Sequence, residues 1–343
     1  MAQIVVGQTV GVTGSAAITV KESMQGASLY LDFVNAQGGV GGQKIELVVL
    51  DDKFDTKLTL ENARTLIEKH GAIALFMTRG TPHTQGIVPL LDEAGVVLVG
   101  PSTGAMALHK PVSRHVFNVR APYQLEVEKA ITHLNTLGVQ RIGVIHVDDS
   151  FGADALDGAL NGFKAQGTQA LFIEKFDRSK PDFSAIAPRA AKLLPQAVIF
   201  IGTGAAVVDG IKALRTAGVS GHASGGFTKA LGDQARGVVV TQAFPSERSL
   251  NYPVIKEAMG LAKAKGIDEL TPAMVEGFIN AKVLVEGLRR ASPKPDRARM
   301  LAALEGMRKF DLGGLELSYS ATDHSGLAFT DLSIVGSDGR FKR

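Results

Sequence analysis

Residues 142–174 have the sequence IGVIHVDDSFGADALDGALNGFKAQGTQALFIE, and this stretch decides the fold class. It begins with a β-rich run, Ile142–Val147, that is apolar except at His146, continues with a predicted helix over Asp154–Gln166, and returns to a β-rich run at Leu171–Glu174. Strands that are apolar on both faces are typical of parallel sheets covered by helices on both sides. A strand, a helix and a second strand in this order predict a right-handed βαβ unit.

The same alternation of strand and helix runs along most of the 343 residues. The other β-rich runs that we interpret as strands are Ile4–Val6, Ile45–Leu50, Ile73–Phe76, Val96–Val99, Val198–Ile201 and Val238–Thr241. The alternation stops near Gly100 and restarts after Pro122, which predicts two domains of similar construction. After Tyr252 the pattern changes to helical stretches and two strand-like runs, and we expect this tail to cover the existing sheets. The predicted fold class is α/β.

The composition is that of a globular chain and excludes several classes of protein. Apolar residues make up 45% and charged residues 21%, so a sizeable core is available and disorder is not expected. The formal net charge of +3 is spread along the chain without a basic block, which argues against a nucleic-acid partner. Apolar runs of about five residues are far shorter than the roughly 20 that a membrane helix needs. Without cysteine the chain has no disulfide and no thiolate ligand or nucleophile.

Short loops rich in glycine, serine and threonine follow six of the predicted strands. They are Gly7–Ser15, Met77–Pro82, Gly100–Gly104, Asp148–Gly152, Gly202–Gly204 and Ser224–Phe227. In open parallel sheets, ligands bind beyond the carboxyl ends of the strands. Hydroxyl groups and the N–H groups of helix N-termini bind anions at such places, although these residue types are also ordinary in turns and caps. Six such loops at equivalent positions in two domains predict a shared cleft for a small anionic solute.

The sequence contains no recognisable motif for a cofactor, a metal or catalysis. Gly202-Thr203-Gly204 lacks the third glycine of a dinucleotide fingerprint, and no Walker lysine pattern is present. The eight histidines show no metal-ligand spacing. Asp148 and Asp149 are either a carboxylate pair for acid–base chemistry or a helix cap beside a solvated charge. Because Ser102 has no nucleophile elbow around it, we expect a binding protein without cofactor or metal, and not an enzyme.

Several motifs, distributed over nearly the whole chain, carry a resemblance to one known family. They are Gly26, Asn35–Gly42, Asp51-Asp52, Asp55, Gly80-Thr81-Pro82, Glu93–Val96, Gly100–Thr103, Arg120, Asp149–Gly152 and Gly237-Val238. In this combination the chain resembles the branched-chain amino-acid-type (Leu/Ile/Val-binding) periplasmic solute-binding proteins of ABC importers. The resemblance implies the type I periplasmic-binding-protein fold, with two doubly wound parallel-sheet lobes joined by three hinge crossings. We place lobe 1 at residues 1–121 plus 248–326 and lobe 2 at residues 122–247 plus 327–343.

The resemblance also implies how a ligand is bound. In the family, hydroxyl and N–H groups of the first lobe hold the ligand's α-carboxylate, an aromatic side chain of the second lobe covers it, and the lobes close. The loops and the resemblance together give as ligand-binding positions Arg79, Gly80, Thr81, Ser102, Thr103, Gly104, Tyr123, Phe151, Thr203, Ser224 and Phe227. The resemblance further implies a periplasmic protein whose leader peptide has been removed, a monomer whose partners are ABC permease membrane subunits.

Two departures from the family concern the ligand's ammonium group. The amino-acid binders hold that group with second-lobe carboxylates, where this chain has Tyr123 and Ser224-Gly225-Gly226. A buried ammonium without a counter-charge is costly, so we expect a carboxylate ligand without an α-amine, such as a 2-oxo acid or an aromatic acid. Arg79 is either a grip for that carboxylate or a surface arginine beside the cleft. Glu22 and Asp149 are other sources of negative charge, so a branched-chain or other neutral amino acid is the alternative ligand, and a ligand-sensing regulator the alternative function.

Overall fold

The computed structural model describes residues 3–219, 222–224, 231, 235–336 and 341–342. These residues form two compact units, and the chain passes between the units three times. The first unit comprises Met1–Pro122 and Phe244–Phe329, and the second comprises Tyr123–Ala243 and Thr330–Arg343.

The predicted lobe boundaries, after residues 121, 247 and 326, lie one, four and three residues from the divisions between the units. The difference at the last crossing has a visible cause. The N–H of Leu327 donates to the carbonyl of Val119, and the ring of Phe329 packs edge-on against Tyr252 with 6.1 Å between centroids. Residues 327–329 are therefore held in the first unit.

Strands and helices alternate through both units. The strands are β1 (Ile4–Val10), β2 (Ile45–Asp51), β3 (Ala74–Phe76), β4 (Val97–Val99), β5 (Val116–Phe117), β6 (Ile142–Val147), β7 (Ile173–Phe176), β8 (Ala197–Ile201), β9 (His222–Ser224), β10 (Val238–Gln242), β11 (Phe310–Asp311), β12 (Glu316–Leu317), β13 (Asp331–Val335) and β14 (Phe341–Lys342). The α-helices with described bounds are α1 (Ala17–Ala36), α2 (Thr56–Glu68), α3 (Thr81–Ala94), α4 (Tyr123–Thr136), α5 (Ser150–Ala165), α6 (Ile186–Lys192), α7 (Ala205–Thr216), α8 (Pro253–Ala264), α9 (Pro272–Arg290) and α10 (Arg297–Glu305). Within the described residues, none of these helices combines the length and apolar character needed to cross a bilayer.

Both units contain the same arrangement of parallel strands. The sheet of the first unit has the order β2-β1-β3-β4-β5, and its neighbouring strands are parallel. In the second unit β7-β6-β8-β9-β10 repeats this order, and β13 and β14 extend the sheet as antiparallel strands. This is a doubly wound order, in which helices cover both faces of the sheet. The predicted α/β fold class with two doubly wound lobes is confirmed.

Each unit has its own apolar core around its sheet. In the first unit β3 and β4 are entirely buried, as are β6 and β8 in the second. The second core includes the rings of Phe176, Phe183 and Phe200, whose centroids lie 5.1–5.5 Å apart. Burial on both faces explains why the strands are continuously apolar instead of alternating.

Helices α1 and α9 of the first unit pack backbone against backbone. A Cβ atom on Gly26 of α1 would lie 1.9 Å from the carbonyl oxygen of Met274, and one on Gly277 of α9 would lie 1.9 Å from that of Ser23. Neither position has room for a side chain, so glycine is what allows the two helices to approach this closely. The contact fixes α9, and with it the polar side chains that α9 directs toward the sheet.

Two sequence predictions differ from the structure. Strand β1 continues to Val10, so the predicted loop at Gly7–Ser15 was wrong in its first four residues. Gly7 lies inside this strand, where a Cβ atom would be 2.8 Å from Cδ2 of Leu75. Glycine is therefore required at this position by close packing and not by a turn. The tail after Tyr252 also does more than cover the sheets, since β13 pairs with β10.

Candidate ligand-binding site

The strand order places a topological switch point in each unit. In the first unit β1 pairs with both β2 and β3, and in the second β6 pairs with both β7 and β8. Connections that leave the central strands on opposite sides open a crevice at the carboxyl ends of those strands. The predicted site residues that follow β3, β4, β6 and β8 all lie at these carboxyl edges.

Helix α3 begins at the carboxyl edge of the first sheet. Gly80 precedes it with a φ of +95°, and no side chain caps the helix. A Cβ atom on Gly80 would lie 2.6 Å from Nδ1 of His83 and 3.1 Å from Cε2 of Phe54, whose ring stacks on the imidazole. Both the backbone conformation and the lack of space therefore require glycine. The first-turn N–H groups of a helix have no acceptor within it, which makes this end favourable for an anion.

Four side chains from the loops after β3 and β4 are joined in pairs. Arg79 donates from Nη1 to Oγ of Ser102 at 2.9 Å, and the two residues also form an isolated parallel bridge. The hydroxyl oxygens of Thr81 and Thr103 lie 2.7 Å apart in a buried contact, and Gly104 is buried beside them in the chain. Because this contact uses only one of the two threonine protons, the other remains available to a ligand.

Behind Ser102 lies a buried carboxylate that the sequence analysis missed. Glu276 of α9 is 7% exposed and accepts a hydrogen bond from Oγ of Ser102 at 2.9 Å. Nη1 of Arg120 lies 3.8 Å from the same Oε1 atom. Ser102 and Glu276 are 174 residues apart in the chain, so no local spacing links them. The one sign in the sequence is an acidic residue inside a helix that is otherwise largely apolar.

In the second unit, Asp149 caps α5 and binds an arginine. Its Oδ1 accepts from the N–H groups of Phe151 and Gly152 at 3.0 and 3.1 Å, and its Oδ2 accepts from Nε of Arg178 at 2.5 Å. Nη1 of Arg178 also donates to Oγ1 of Thr203 at 2.7 Å. The carboxylate of Asp149 is thus a helix cap with a charge partner.

Asp148 has a separate environment from Asp149. It is exposed and pairs with Lys175 at 2.9 Å, so the two carboxylates are not an acid–base pair. Arg178, which joins Asp149 to Thr203, was missed because the loop after β7 has no glycine and only one hydroxyl residue, Ser179, near it. Its position next to β6 at the carboxyl edge was the available indication.

The remaining predicted residues of the second unit divide into an aromatic pair and a loop. The rings of Tyr123, at the start of α4, and Phe151, in the first turn of α5, lie 4.8 Å apart between centroids and are tilted by 60°. Both residues are half-buried. Ser224 is the last residue of β9, and Phe227 lies outside the described residues.

Two buried titratable groups lie near the site residues of the first unit. Burial raises the pKa of Asp52, although hydrogen bonds from the Phe54 N–H and the Thr59 hydroxyl act in the opposite direction. Burial, together with the neighbouring charge of Arg120, lowers the pKa of His109 to about 4. His109 is therefore neutral at physiological pH and adds no charge beside Arg120.

Each unit presents hydrogen-bond donors at the carboxyl edge of its sheet. The first unit presents arginine, hydroxyl and helix N-terminal donors, and the second unit, taken by itself, presents the hydroxyl of Thr203. Across the residues that the structure describes, no three His, Asp or Glu side chains are arranged to hold a metal ion. Donors of these kinds are the ones with which proteins bind anions.

Comparison with known proteins agrees with the fold. A family model described as periplasmic binding protein matches residues 3–338. The Leu/Ile/Val-binding protein homolog 3 of Brucella melitensis is 26% identical over 336 residues, which cover 94% of this chain and 88% of that protein. The crystal structure of a substrate-binding periplasmic protein from Ralstonia solanacearum aligns with a TM-score of 0.91 at 31% identity, over 99% of both chains.

Two more distant structures were determined with ligands. A branched chain amino acid ABC transporter protein from Thermus thermophilus with bound valine has a TM-score of 0.88 at 18% identity, over 100% of this chain and 95% of that one. A solute binding protein from R. palustris in complex with benzoate has a TM-score of 0.87 at 19% identity, over 99% of this chain and 95% of that one. At such identity the likeness shows the fold alone. The family model, in contrast, spans nearly the whole sequence, and the chain belongs to the periplasmic binding protein family, the solute-binding proteins of ABC transporters.

Proposed function

We propose that this protein binds a small carboxylate without an α-amine, such as a 2-oxo acid or an aromatic acid, and delivers it to an ABC permease. The observation that carries the proposal is the position of Arg79, directly before the uncapped N-terminus of α3. The family implies an extracytoplasmic location, and the membrane subunits of the permease are the proposed partners.

Arg79 retains hydrogen-bond donors for a ligand. One of its N–H groups binds Ser102, and among the described residues no carboxylate lies within 4.0 Å of its guanidinium. A guanidinium carries five donors in a fork that matches the two oxygens of a carboxylate. The Thr81 and Thr103 hydroxyls extend this donor set, so the first unit is the proposed site of the ligand's carboxylate.

At its predicted positions the second unit offers a hydrogen-bond donor, the Thr203 hydroxyl, and its carboxylate, Asp149, is already paired. Asp149 already accepts from Arg178 and from two backbone N–H groups. Because Thr203 accepts a hydrogen bond from Arg178, its own proton is directed elsewhere. We infer that Thr203 donates to a second acceptor on the ligand, such as an oxo group, while Tyr123 and Phe151 pack against the ligand's apolar part.

A branched-chain or other neutral amino acid is the second candidate ligand. The name of the Brucella relative favours it, as does the valine of the Thermus structure. Glu22 of α1 is a half-buried carboxylate that accepts one hydrogen bond, from Thr271 at 3.0 Å, and it has lone pairs left for an ammonium. An amino-acid binder requires Glu22 or another acid to reach the ligand's ammonium.

Calorimetric titration with matched ligand pairs distinguishes the two candidates. The pairs are leucine against 4-methyl-2-oxopentanoate and phenylalanine against phenylpyruvate, with benzoate as a further amine-free acid. We expect binding of the amine-free member of a pair and a much weaker response to the amino acid. Binding of leucine with no response to any amine-free acid would show the proposal to be wrong.

A second titration tests the role of Arg79. Arg79→Met removes two or more charge-assisted hydrogen bonds, so we expect affinity for the bound acid to fall by roughly ten- to a hundredfold. Arg64→Met is the matched control, because Arg64 lies on α2 in the same unit and pairs only with Glu68 on an exposed face. Equal binding by Arg79→Met and the unaltered protein would remove Arg79 from the site.

A further inference from the structure

We propose that Glu276 is a positioning and specificity-determining residue, which directs Ser102 toward Arg79 and lowers the positive charge of the first unit's binding surface by one unit. The surface then fits one carboxylate better than two. This inference rests on the proposed function, because it concerns the same carboxylate site. Glu276 itself touches the site through Ser102.

The hydrogen-bond partners of Ser102 determine where its hydroxyl proton points. A carboxylate oxygen can only accept and a guanidinium can only donate, whereas a serine hydroxyl has one proton. The contact with Glu276 at 2.9 Å therefore uses that proton, and the contact with Arg79 at 2.9 Å uses a lone pair of the same oxygen. Ser102 has no proton left for a ligand, so it holds Arg79 in place, and direct donation to the ligand falls to Arg79 and to one of the two threonines, Thr81 or Thr103.

Glu276 contributes a negative charge beside two arginines. Arg79 and Arg120 each carry a positive charge, and Glu276 lies within 3.8 Å of Arg120 and one hydroxyl away from Arg79. Burial of an unpaired carboxylate or guanidinium is costly, and the ionic contact with Arg120 offsets that cost. The carboxylate of Glu276 lowers by one unit the positive charge that a ligand meets, which favours a monocarboxylate over a dicarboxylate.

Two contacts of helix α9 keep Glu276 in this position. Glu276 and Asn280 are one turn apart on the same face of α9, and Nδ2 of Asn280 donates to the carbonyl of Gly100 at 3.2 Å. Glu276 and Asn280 thus bind the two ends of the segment 100–102. At Gly277, the next residue, α9 lies directly against the backbone of α1. This anchoring prevents the carboxylate from moving away when a ligand binds.

The test compares a monoanion with a dianion, benzoate with phthalate, in Glu276→Gln. The amide oxygen still accepts from Ser102, so Arg79 stays in place, but the surface loses one negative charge. With the ligand about 8 Å from the lost charge, we expect the ratio of phthalate to benzoate affinity to rise roughly five- to thirtyfold. A merely structural role for Glu276 would lower both affinities together and leave their ratio unchanged.

Two further variants make the result specific. Glu286→Gln removes a carboxylate that pairs with Arg290 ten residues further along α9, and it should leave the ratio unchanged. Glu276→Leu removes both the charge and the acceptor, and we expect benzoate affinity to fall at least tenfold, with rescue by Glu276→Gln. If Glu276→Leu does not fold, Glu276→Gln against Glu286→Gln still decides the question.

The outcomes separate this inference from the proposed function. Binding of benzoate with an unchanged ratio in Glu276→Gln would overturn the inference and leave the proposed function intact. If the unaltered protein binds leucine and no amine-free acid, the proposed function fails, and leucine becomes the probe. Loss of leucine binding in Glu276→Gln would then identify Glu276 as the partner of the ammonium and overturn the inference, whereas retained leucine binding with gained phthalate binding would support it.

Discussion

The close contact of α1 and α9 gives the sharpest test of the first unit, through the substitution Gly277→Ala. Alanine favours an isolated helix over glycine by about 1 kcal/mol, so helix propensity alone predicts stabilisation. The structure predicts the opposite, because the added Cβ would lie 1.9 Å from the carbonyl oxygen of Ser23. To reach an ordinary contact of about 3.4 Å the helices must separate by about 1.5 Å, and overpacking on this scale costs roughly 3 kcal/mol or more. The net expectation is a loss of about 2 kcal/mol or more in the free energy of unfolding.

Gly260→Ala in α8 is the matched control for this prediction. Gly260 is exposed, and no atom lies within 4 Å of the position its Cβ would take. Here propensity acts alone, and we expect stabilisation of up to about 1 kcal/mol. Urea unfolding monitored by circular dichroism measures both variants. Carboxylate binding should weaken only in Gly277→Ala, because the displaced helix carries Glu276. Stabilisation by both substitutions would refute the close packing of α1 and α9.

Two other predictions concern pH and helix capping. The pKa of buried His109 lies near 4 in the folded chain and near 6.5 when unfolded, so the unfolded chain binds the extra proton between these values. The free energy of unfolding should therefore fall as pH drops from 6.5 to 4, and this residue accounts for up to about 3 kcal/mol of the fall. His109→Gln should lessen the difference between the unfolding free energies measured at pH 7 and at pH 4.5. An unchanged difference would contradict the assignment. Asp149→Ala removes a helix cap and leaves Arg178 without its carboxylate, so we expect a loss of about 2–3 kcal/mol in urea unfolding. Asp148→Ala breaks only an exposed pair with Lys175 and should cost less than about 1 kcal/mol, and equal losses in the two variants would contradict the different roles.

Local patterns were sufficient for the class of fold and for placing the candidate site residues at the carboxyl edge of each sheet. Runs such as Ile142–Val147, which is apolar except at His146, are typical of strands that are buried on both faces, so they predict a parallel sheet without reference to the rest of the chain. The carboxyl ends of parallel strands lie on one edge, which brings the loops at Arg79, Ser102 and Thr203 to equivalent positions in their units. The glycine and hydroxyl content of those loops then indicated an anion site.

The pairing of charged side chains at the candidate site residues could not be predicted from the sequence. Arg178 meets Asp149 across 29 residues and Glu276 meets Ser102 across 174, and no periodicity of helix or strand connects residues at such separations. A carboxylate has a different function when an arginine has already neutralised it, and only the folded chain shows which carboxylates are paired.

By itself, the sequence determined the α/β class, the two-lobed organisation and the loops that carry the candidate ligand contacts, because each depends on residues close together in the chain. The tertiary structure alone decided which hydroxyl protons remain for a ligand, that Asp149 is a cap bound to Arg178, and that Glu276 lies behind Ser102 and Arg79. These features depend on hydrogen bonds and ion pairs between distant segments, whose partners are set by the packing of helices on sheets.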